Sequence, residues 1–468
     1  MIIFGTARTI LAGAALLTLA GCASFSADGG LNDVSKMTQE RVGFPVARTN
    51  SETSPESAKR VEQLLAAPLT VEAAVELALL NNRGLQANLD ELGIAEAEFV
   101  QTGRMRNPGF SFSRLRTGED VEIERSIGFD LAGLLTMPIR TRIARQRFEF
   151  AKLAAASQSV ELAHEARRAY FEAIAATQQV AYLRMAQESA EAGATLAQRM
   201  AQVGNWSKLD QSRQQAFYAE VTAQLARSGQ QALAARERLT RVLGLWGPSA
   251  QFKLPDRLPD LPAAPREVRD VEAQALNGRL DMLAARRELD SMASSLGLTR
   301  GTRFINVLDA GYHNKSETGA PRGNGYEVSL EVPLFDWGGA RVSSAQARYN
   351  QAVNRIADAA ITSRSRAREA HAGYLTAYDV ARHYRDELVP LRRQISDEVL
   401  LRYNGMLLSV FELLADSREQ VSVVNAAIEA QRDFWIADTD LNAALMGSGS
   451  VPRAAQAGTE PASAPQGH

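Results

Sequence analysis

Five histidines, one cysteine and a scatter of carboxylates are the groups in this 468-residue chain that could do chemistry. The histidines are His164, His313, His371, His383 and His468. None has a helical metal-binding spacing such as His-Glu-x-x-His, so each reads as a single surface side chain and no metal is expected. Gly323-Asn324-Gly325 precedes a strand pattern. It is a turn signal, because no helix follows to offer its amides to a phosphate. No pattern sets a nucleophile beside a base, so neither an enzyme nor a cofactor is expected. A formal net charge of -2 gives no reason to expect nucleic acid as a partner.

The cysteine is more specific. Residues 1–18 carry one charge, Arg8, and an apolar stretch through Leu16-Leu17. That is a secretory signal, too short and wrongly flanked for a spanning helix, and it is assigned to residues 1–21. It ends in Leu19-Ala20-Gly21-Cys22, which resembles a bacterial lipobox, where the thiol is acylated and becomes the new N-terminus. As the single cysteine, Cys22 has no partner for an internal disulfide. Ala23-Ser24 follow without an acidic residue, which points to the outer membrane. Beyond Cys22 no apolar run reaches the length of a transmembrane helix. A chain of this kind could cross a membrane only as a β-barrel.

The elements that position these groups come in two similar halves, residues 69–247 and 267–447. Each half opens with a strand hairpin and continues with a long Ala-rich helix, a tip and a long helix back. Strands are expected over about 108–131 and 303–332. Val121, Ile123, Ile127, Phe129 and Leu131 alternate with Glu122, Glu124, Ser126 and Asp130, Arg125 being the exception. Tyr326, Val328, Leu330 and Val332 alternate with Glu327, Ser329 and Glu331. Such alternation suits a soluble sheet over its own core, and equally a barrel with lipid outside and water inside. Nothing nearby in sequence could cover a soluble sheet, which favours the barrel. Four strands cannot close one, since about eight is the practical minimum. A membrane reading therefore requires oligomerisation, and three chains would supply about twelve strands.

Long helices are expected over residues 138–203 and 207–245, then 340–404 and 409–445. Pro138 suits a first helical position, and Pro390 should kink or interrupt its helix. Thr70 offers an N-cap to a short helix, and a second runs from Leu85 to about Arg104. Residues 22–68 read as a lipidated polar tether, 248–266 as a Pro-rich linker and 448–468 as a disordered tail.

Pro333-Leu334-Phe335-Asp336-Trp337-Gly338-Gly339-Ala340-Arg341, the tip Arg402-Tyr403-Asn404-Gly405, and Phe411-Glu412-Leu413-Leu414-Ala415-Asp416-Ser417-Arg418, in this order and with first-half counterparts, resemble the TolC-like outer-membrane efflux protein family in its lipoprotein branch. The resemblance implies a mostly α fold with a small membrane β-barrel portion. Long antiparallel helical hairpins would form a trimeric periplasmic tunnel, and four strands per chain would contribute to a shared trimeric barrel. It implies a homotrimer acting as exit duct with a periplasmic adaptor and an inner-membrane efflux pump. Ile127, Phe129, Leu131, Tyr326, Val328, Leu330 and Val332 would face outer-membrane lipid. Val203, Gly204, Asn205 and Ser207, with Asn404, Gly405, Met406 and Ser409, would be the adaptor-docking tips, glycine supplying φ > 0 in each turn. Asp210, Glu412 and Asp416 would be acids of the tunnel's narrow end, Glu412 matching if one extra residue is allowed in the second tip. The second acid of the family's pair falls on Ala415, with Asp416 one place on, and the family's closing arginine is absent from the second tip. The alternative is a periplasmic coiled-coil lipoprotein scaffold without a pore.

Overall fold

A computed structural model describes residues 24–48, 55–305 and 307–447. The signal peptide, Cys22 and the tail at 448–468 lie outside the described residues. The segment read as a tether carries α1 (Leu31–Val42) and α2 (Pro55–Leu65). The first is not loose. Val34 and Thr38 are fully buried, and the Phe148 ring would be 2.9 Å from a Cβ at Gly30. The apolar spacing of Val34, Met37 and Val42 supplies the face that packs.

Thr70 caps α3 (Val71–Asn81) by accepting from the Ala73 amide. Asn82 ends that helix and caps α4 (Arg83–Thr102), accepting from the Leu85 amide at 3.0 Å. Asn81 and Asn82 also donate to the carbonyls of Gly244 and Val242, at 2.7 and 2.9 Å. The break between the two short helices thus stitches them to the far end of the first hairpin.

Strands β1 (Gly109–Thr117) and β2 (Asp120–Asp130) lead into α5 (Leu131–Gln202), a 72-residue helix about 108 Å long. Its cap is Asp130, which accepts from the Gly133 amide at 2.6 Å, so Pro138 lies inside the helix and not at its start. Asp130 outweighs the proline because an N-cap carboxylate satisfies a free amide and faces the helix dipole. The return helix α6 is Lys208–Val242. The second half repeats the order with α7 (Val271–Gly278), α8 (Leu280–Gly301), β3 (Leu308–Glu317), β4 (Gly323–Leu330) and α9 (Gly339–His383). At Tyr384–Leu388 the chain makes a π-helical segment, then α10 (Val389–Asn404) begins with Pro390 in its first turn. The regular α-helix is interrupted just before the proline, while the backbone stays helical through it. The wider π turn absorbs the missing amide. The last helix is α11 (Val410–Met446).

The four strands form one antiparallel sheet in the order β1-β2-β3-β4. Each repeat makes its own hairpin, and β2 and β3 join the two halves edge to edge. β1 and β4 each have one partner, so both outer edges of the sheet are open. The apolar core lies in the helices. Tyr170, Phe171 and Ile174 of α5 pack with Leu77 of α3 and Leu239 of α6. Tyr374 and Tyr378 of α9 pack against Phe434 of α11. His164 is no surface residue: it is 2% exposed, neither ring nitrogen has a protein partner, and burial lowers its pKa to about 3, so it sits in the core as a neutral ring. Among the described residues, no cluster of three or more His, Cys, Asp or Glu is placed to hold a metal.

The junction between β4 and α9 turns on Gly338, the helix N-cap at φ 72. A Cβ there would lie 2.6 Å from the Arg303 carbonyl oxygen, whereas Gly339 has open space around it. Gly338→Ala is expected to destabilise the protein by about 2 kcal/mol, and Gly339→Ala to stabilise it by up to about 1 kcal/mol. Thermal unfolding followed by circular dichroism checks both signs. Equal effects would refute a left-handed hinge at Gly338.

Candidate functional site

Two regions of the molecule are built for contact: the sheet and the two helix tips. In the sheet, residues facing each other across strands share a face. Phe110 is opposite Ile127, Ile127 opposite Tyr312, and Tyr312 opposite Tyr326. The next row is Phe129, Ala310 and Val328, and the next is Leu308 with Leu330. These side chains are solvent-exposed in the single chain: Tyr326 is 90% and Val328 69% exposed. Among the described residues, this face is left largely uncovered. The other face carries Glu122, Glu124 and Asp130 on β2, Asp309, His313, Lys315 and Glu317 on β3, and Glu327 on β4. There Lys315 pairs with Glu122, and His313 with Glu327.

Two of the residues assigned to the apolar face lie off the strands. Leu131 is the first residue of α5, because the Asp130 cap converts the chain to helix one residue too early. Val332 follows the end of β4 and is exposed in the connection to α9. Below the sheet, Phe304 meets Trp337 edge-on at 6.3 Å between centroids, and Phe335 is 98% exposed. These aromatics lie at the sheet–helix junction.

At the far end of the helices the two tips share one backbone geometry. In the first, Val203 closes α5, Gly204 takes φ 78, and the Asn205 amide donates to the Met200 carbonyl at 2.9 Å. In the second, Gly405 closes α10 at φ -78, Met406 takes φ 59, and the Leu407 amide donates to the Arg402 carbonyl at 2.8 Å. Gly405 therefore matches Val203, and the left-handed position belongs to Met406, where a glycine was expected. Ser207 and Ser409 are then the matched N-caps, and Asp210 and Glu412 the matched acids. No extra residue is needed in the second tip. A glycine at the neighbouring position had drawn the sequence alignment one residue out of register.

Both acids are engaged locally. The Ser207 hydroxyl donates to Asp210 Oδ2 at 2.6 Å. The Ser409 amide and hydroxyl donate to Glu412 Oε2 at 2.9 and 3.0 Å. Asp416 is different: it is buried between α10 and α11 and not on an open wall. Arg392 Nη2 donates to its Oδ1 at 2.6 Å, and Ser396 Oγ to its Oδ2 at 2.6 Å. Arg392 also pairs with Glu419 at 2.8 Å. Asp416 is thus the clasp of the second hairpin, and Arg392 is a functional neighbour that its position, 24 residues away in sequence, concealed. Trp206 of the first tip stacks on Phe411 of the second at 4.3 Å between centroids, tying the tips together. Val203, Met406 and Leu407 are 70%, 94% and 78% exposed, so an apolar surface crowns the tips.

This arrangement has counterparts among known proteins. No family model matches the chain. The cobalt-zinc-cadmium resistance protein CzcC of Cupriavidus metallidurans is 26% identical over 278 residues, 58% of this chain. The chain spans 64% of the length of that curated relative. The outer-membrane channel OprN superposes with a TM-score of 0.68 at 19% identity, covering 89% of this chain and 96% of that one. The outer membrane protein VceC of Vibrio cholerae superposes with a TM-score of 0.66 at 16% identity, covering 81% and 96%. The chain has the fold of these outer-membrane channels, with long helical hairpins below a strand sheet.

Asp416→Ala removes the buried partner of Arg392 but leaves Glu419, and is expected to cost about 2–3 kcal/mol. Ser409→Ala removes only a cap and should cost about 1 kcal/mol. Hydrogen exchange across α10 and α11 measures both. Similar protection in the two variants would show that Asp416 is not the clasp.

Proposed function

We propose that the chain is the outer-membrane exit duct of a tripartite efflux system, passing small molecules or ions from a periplasmic adaptor and an inner-membrane pump to the exterior. The observation that carries this reading is an uncovered apolar sheet face ending in two open strand edges. In lipid, every backbone amide and carbonyl must be paired within the protein. Edges β1 and β4 meet that demand by pairing between copies of the chain, and three copies supply about twelve strands, within the known range for closed barrels. The protein is then a homotrimer with its strands in the outer membrane and its helices in the periplasm, anchored also through an acylated Cys22. It transports without catalysis. A pore-less scaffold has no use for the exposed row of Tyr326, Val328 and Leu330.

With that face outward, the lumen is lined by Glu122, Glu124, Asp130, Asp309, Glu317 and Glu327 against Lys315 and His313. An acid-rich lining favours cations, in keeping with the metal resistance for which the curated relative is named. At the closed end, Val203, Gly204, Asn205, Met406 and Leu407 form the docking crown for the adaptor. Asp210 and Glu412 stand one turn behind it as the acids of the aperture.

Phe129→Arg and Leu330→Arg place a charge on the lipid face, which costs roughly 2–4 kcal/mol per chain near the bilayer midplane. Both should abolish trimers in outer-membrane fractions, measured as detergent-corrected mass by light scattering, while Glu124→Gln on the other face should not. A normal trimer yield from the arginine variants would refute the outward assignment. Photo-crosslinkers at Asn205 and Leu407 should capture the adaptor in cells, and a probe at the barrel-side Gly118 should not.

A further inference from the structure

One residue breaks the apolar pattern of the outward sheet face. Arg125 lies between Ile123 and Ile127 on that face, opposite Phe112 on β1 and Asn314 on β3. Two more arginines share the face on β1: Arg114 opposite Ile123, and Arg116 opposite Val121. All three are exposed. Diagonal neighbours across a strand pair have Cα atoms about 7–8 Å apart, so Arg125 and Arg114 flank a space that one anionic group can bridge.

Their height is as telling as their number. The upper aromatic row is Phe110, Tyr312 and Tyr326, with Phe112 just above. One row beyond it polar side chains enter the face beside Phe112, and arginines alternate with Ile123 and Val121 above. Arg125 Nη1 donates to Asn314 Oδ1 at 3.1 Å, and Asn314 Nδ2 donates to Asn324 Oδ1 at 2.7 Å, a ladder across three strands. At the rise of a β-strand, the three arginines lie about 7–20 Å along the strands beyond the aromatic row, where a bilayer presents its headgroups. β1 to β4 carry no acidic residue on this face, since Glu122, Glu124, Glu317 and Glu327 all occupy the opposite one. Glu119 is in the turn between β1 and β2. Among the described residues, none of the three arginines forms an ion pair with a carboxylate.

We propose that Arg114, Arg116 and Arg125 form a cationic collar that binds the phosphate groups of phosphorylated lipids in the outer leaflet. The inference rests on the duct reading, which sets this face toward lipid. Guanidinium is the suitable group, because its planar fork gives phosphate two parallel charge-assisted hydrogen bonds. Three chains repeat the collar around the barrel. The patch fixes the vertical position of the barrel, with aromatics in the apolar zone and arginines on the headgroups. It also accounts for an arginine in a strand whose neighbours on that face are apolar.

The test uses the full-length protein in phosphatidylcholine nanodiscs doped with lipid A or with dephosphorylated lipid A. Native mass spectrometry of the released trimers reads the lipid that stays bound. Wild type is expected to retain lipid A but not its dephosphorylated form, and R114Q/R116Q/R125Q to lose those adducts, roughly five-fold per arginine removed. R125K should keep part of the retention, since charge remains without the fork. Equal retention by wild type and the triple variant overturns the collar while leaving the duct intact. Release of lipid A by excess inorganic phosphate alone assigns the arginines to free anions and overturns the lipid assignment. A wild-type chain that enters no bilayer overturns the duct reading, and the collar with it.

Discussion

Backbone hydrogen bonding at the two sheet edges constrains everything above and below it. β1 and β4 each leave a row of amides and carbonyls without partners. In water such edges invite aggregation, and in lipid they are excluded. On the proposed duct reading, a four-stranded sheet with an apolar face and open edges is a fraction of a closed barrel, and the strand count calls for an oligomer. The helices follow from the barrel. A ring of strands closed between chains demands that the helices leaving it also pack side by side between chains. Leu196, Leu233, Ile361 and Leu401 on these helices are apolar positions exposed in the single chain.

The two repeats meet this demand by different local means. The first has an unbroken 72-residue helix. The second divides the same path into α9, a π segment and α10. Pro390 forces that division, since it lacks the amide an α-helix would use there. The same stretch carries Arg392, whose pairing with Asp416 and Glu419 ties α10 to α11. The hairpin that has lost helical regularity is therefore the one held by a buried ion pair. The first hairpin leans on packing instead, through Ala186, Ala190 and Val221.

Much of this was legible from residue types. Alternation in Tyr326–Leu330, the Thr70 cap, and the long Ala-rich stretches carry local signals that tertiary context did not override. Two of the failures share a cause: two residues competed for one role, and the sequence does not rank them. Asp130 and Pro138 both mark helix starts, and the carboxylate cap won. Gly405 and Met406 are adjacent candidates for the left-handed position, and Met406 took it. The burial of Asp416 was not legible at all, because its partner lies on another helix. The packing of α1 was hidden by its high polar content, since only Val34, Thr38 and Val42 are buried.

The tip acids show that a structural role is compatible with the proposed aperture role. Asp210 and Glu412 are held by serine caps at the first turns of α6 and α11, and each cap contributes about 1 kcal/mol. A cap consumes one carboxylate oxygen in each case, Oδ2 of Asp210 and Oε2 of Glu412. The positive end of each helix dipole faces these carboxylates. Capping therefore fixes the height of each charge to within a side chain's reach of the tip, which a free surface acid could not do. A ring of charges at a constriction needs such fixation, because a mobile carboxylate would average its field over a wide volume. The serine that stabilises each return helix also places the acid, and the matched Ser-x-x-acid spacing puts each charge at the same position in the first turn of its helix.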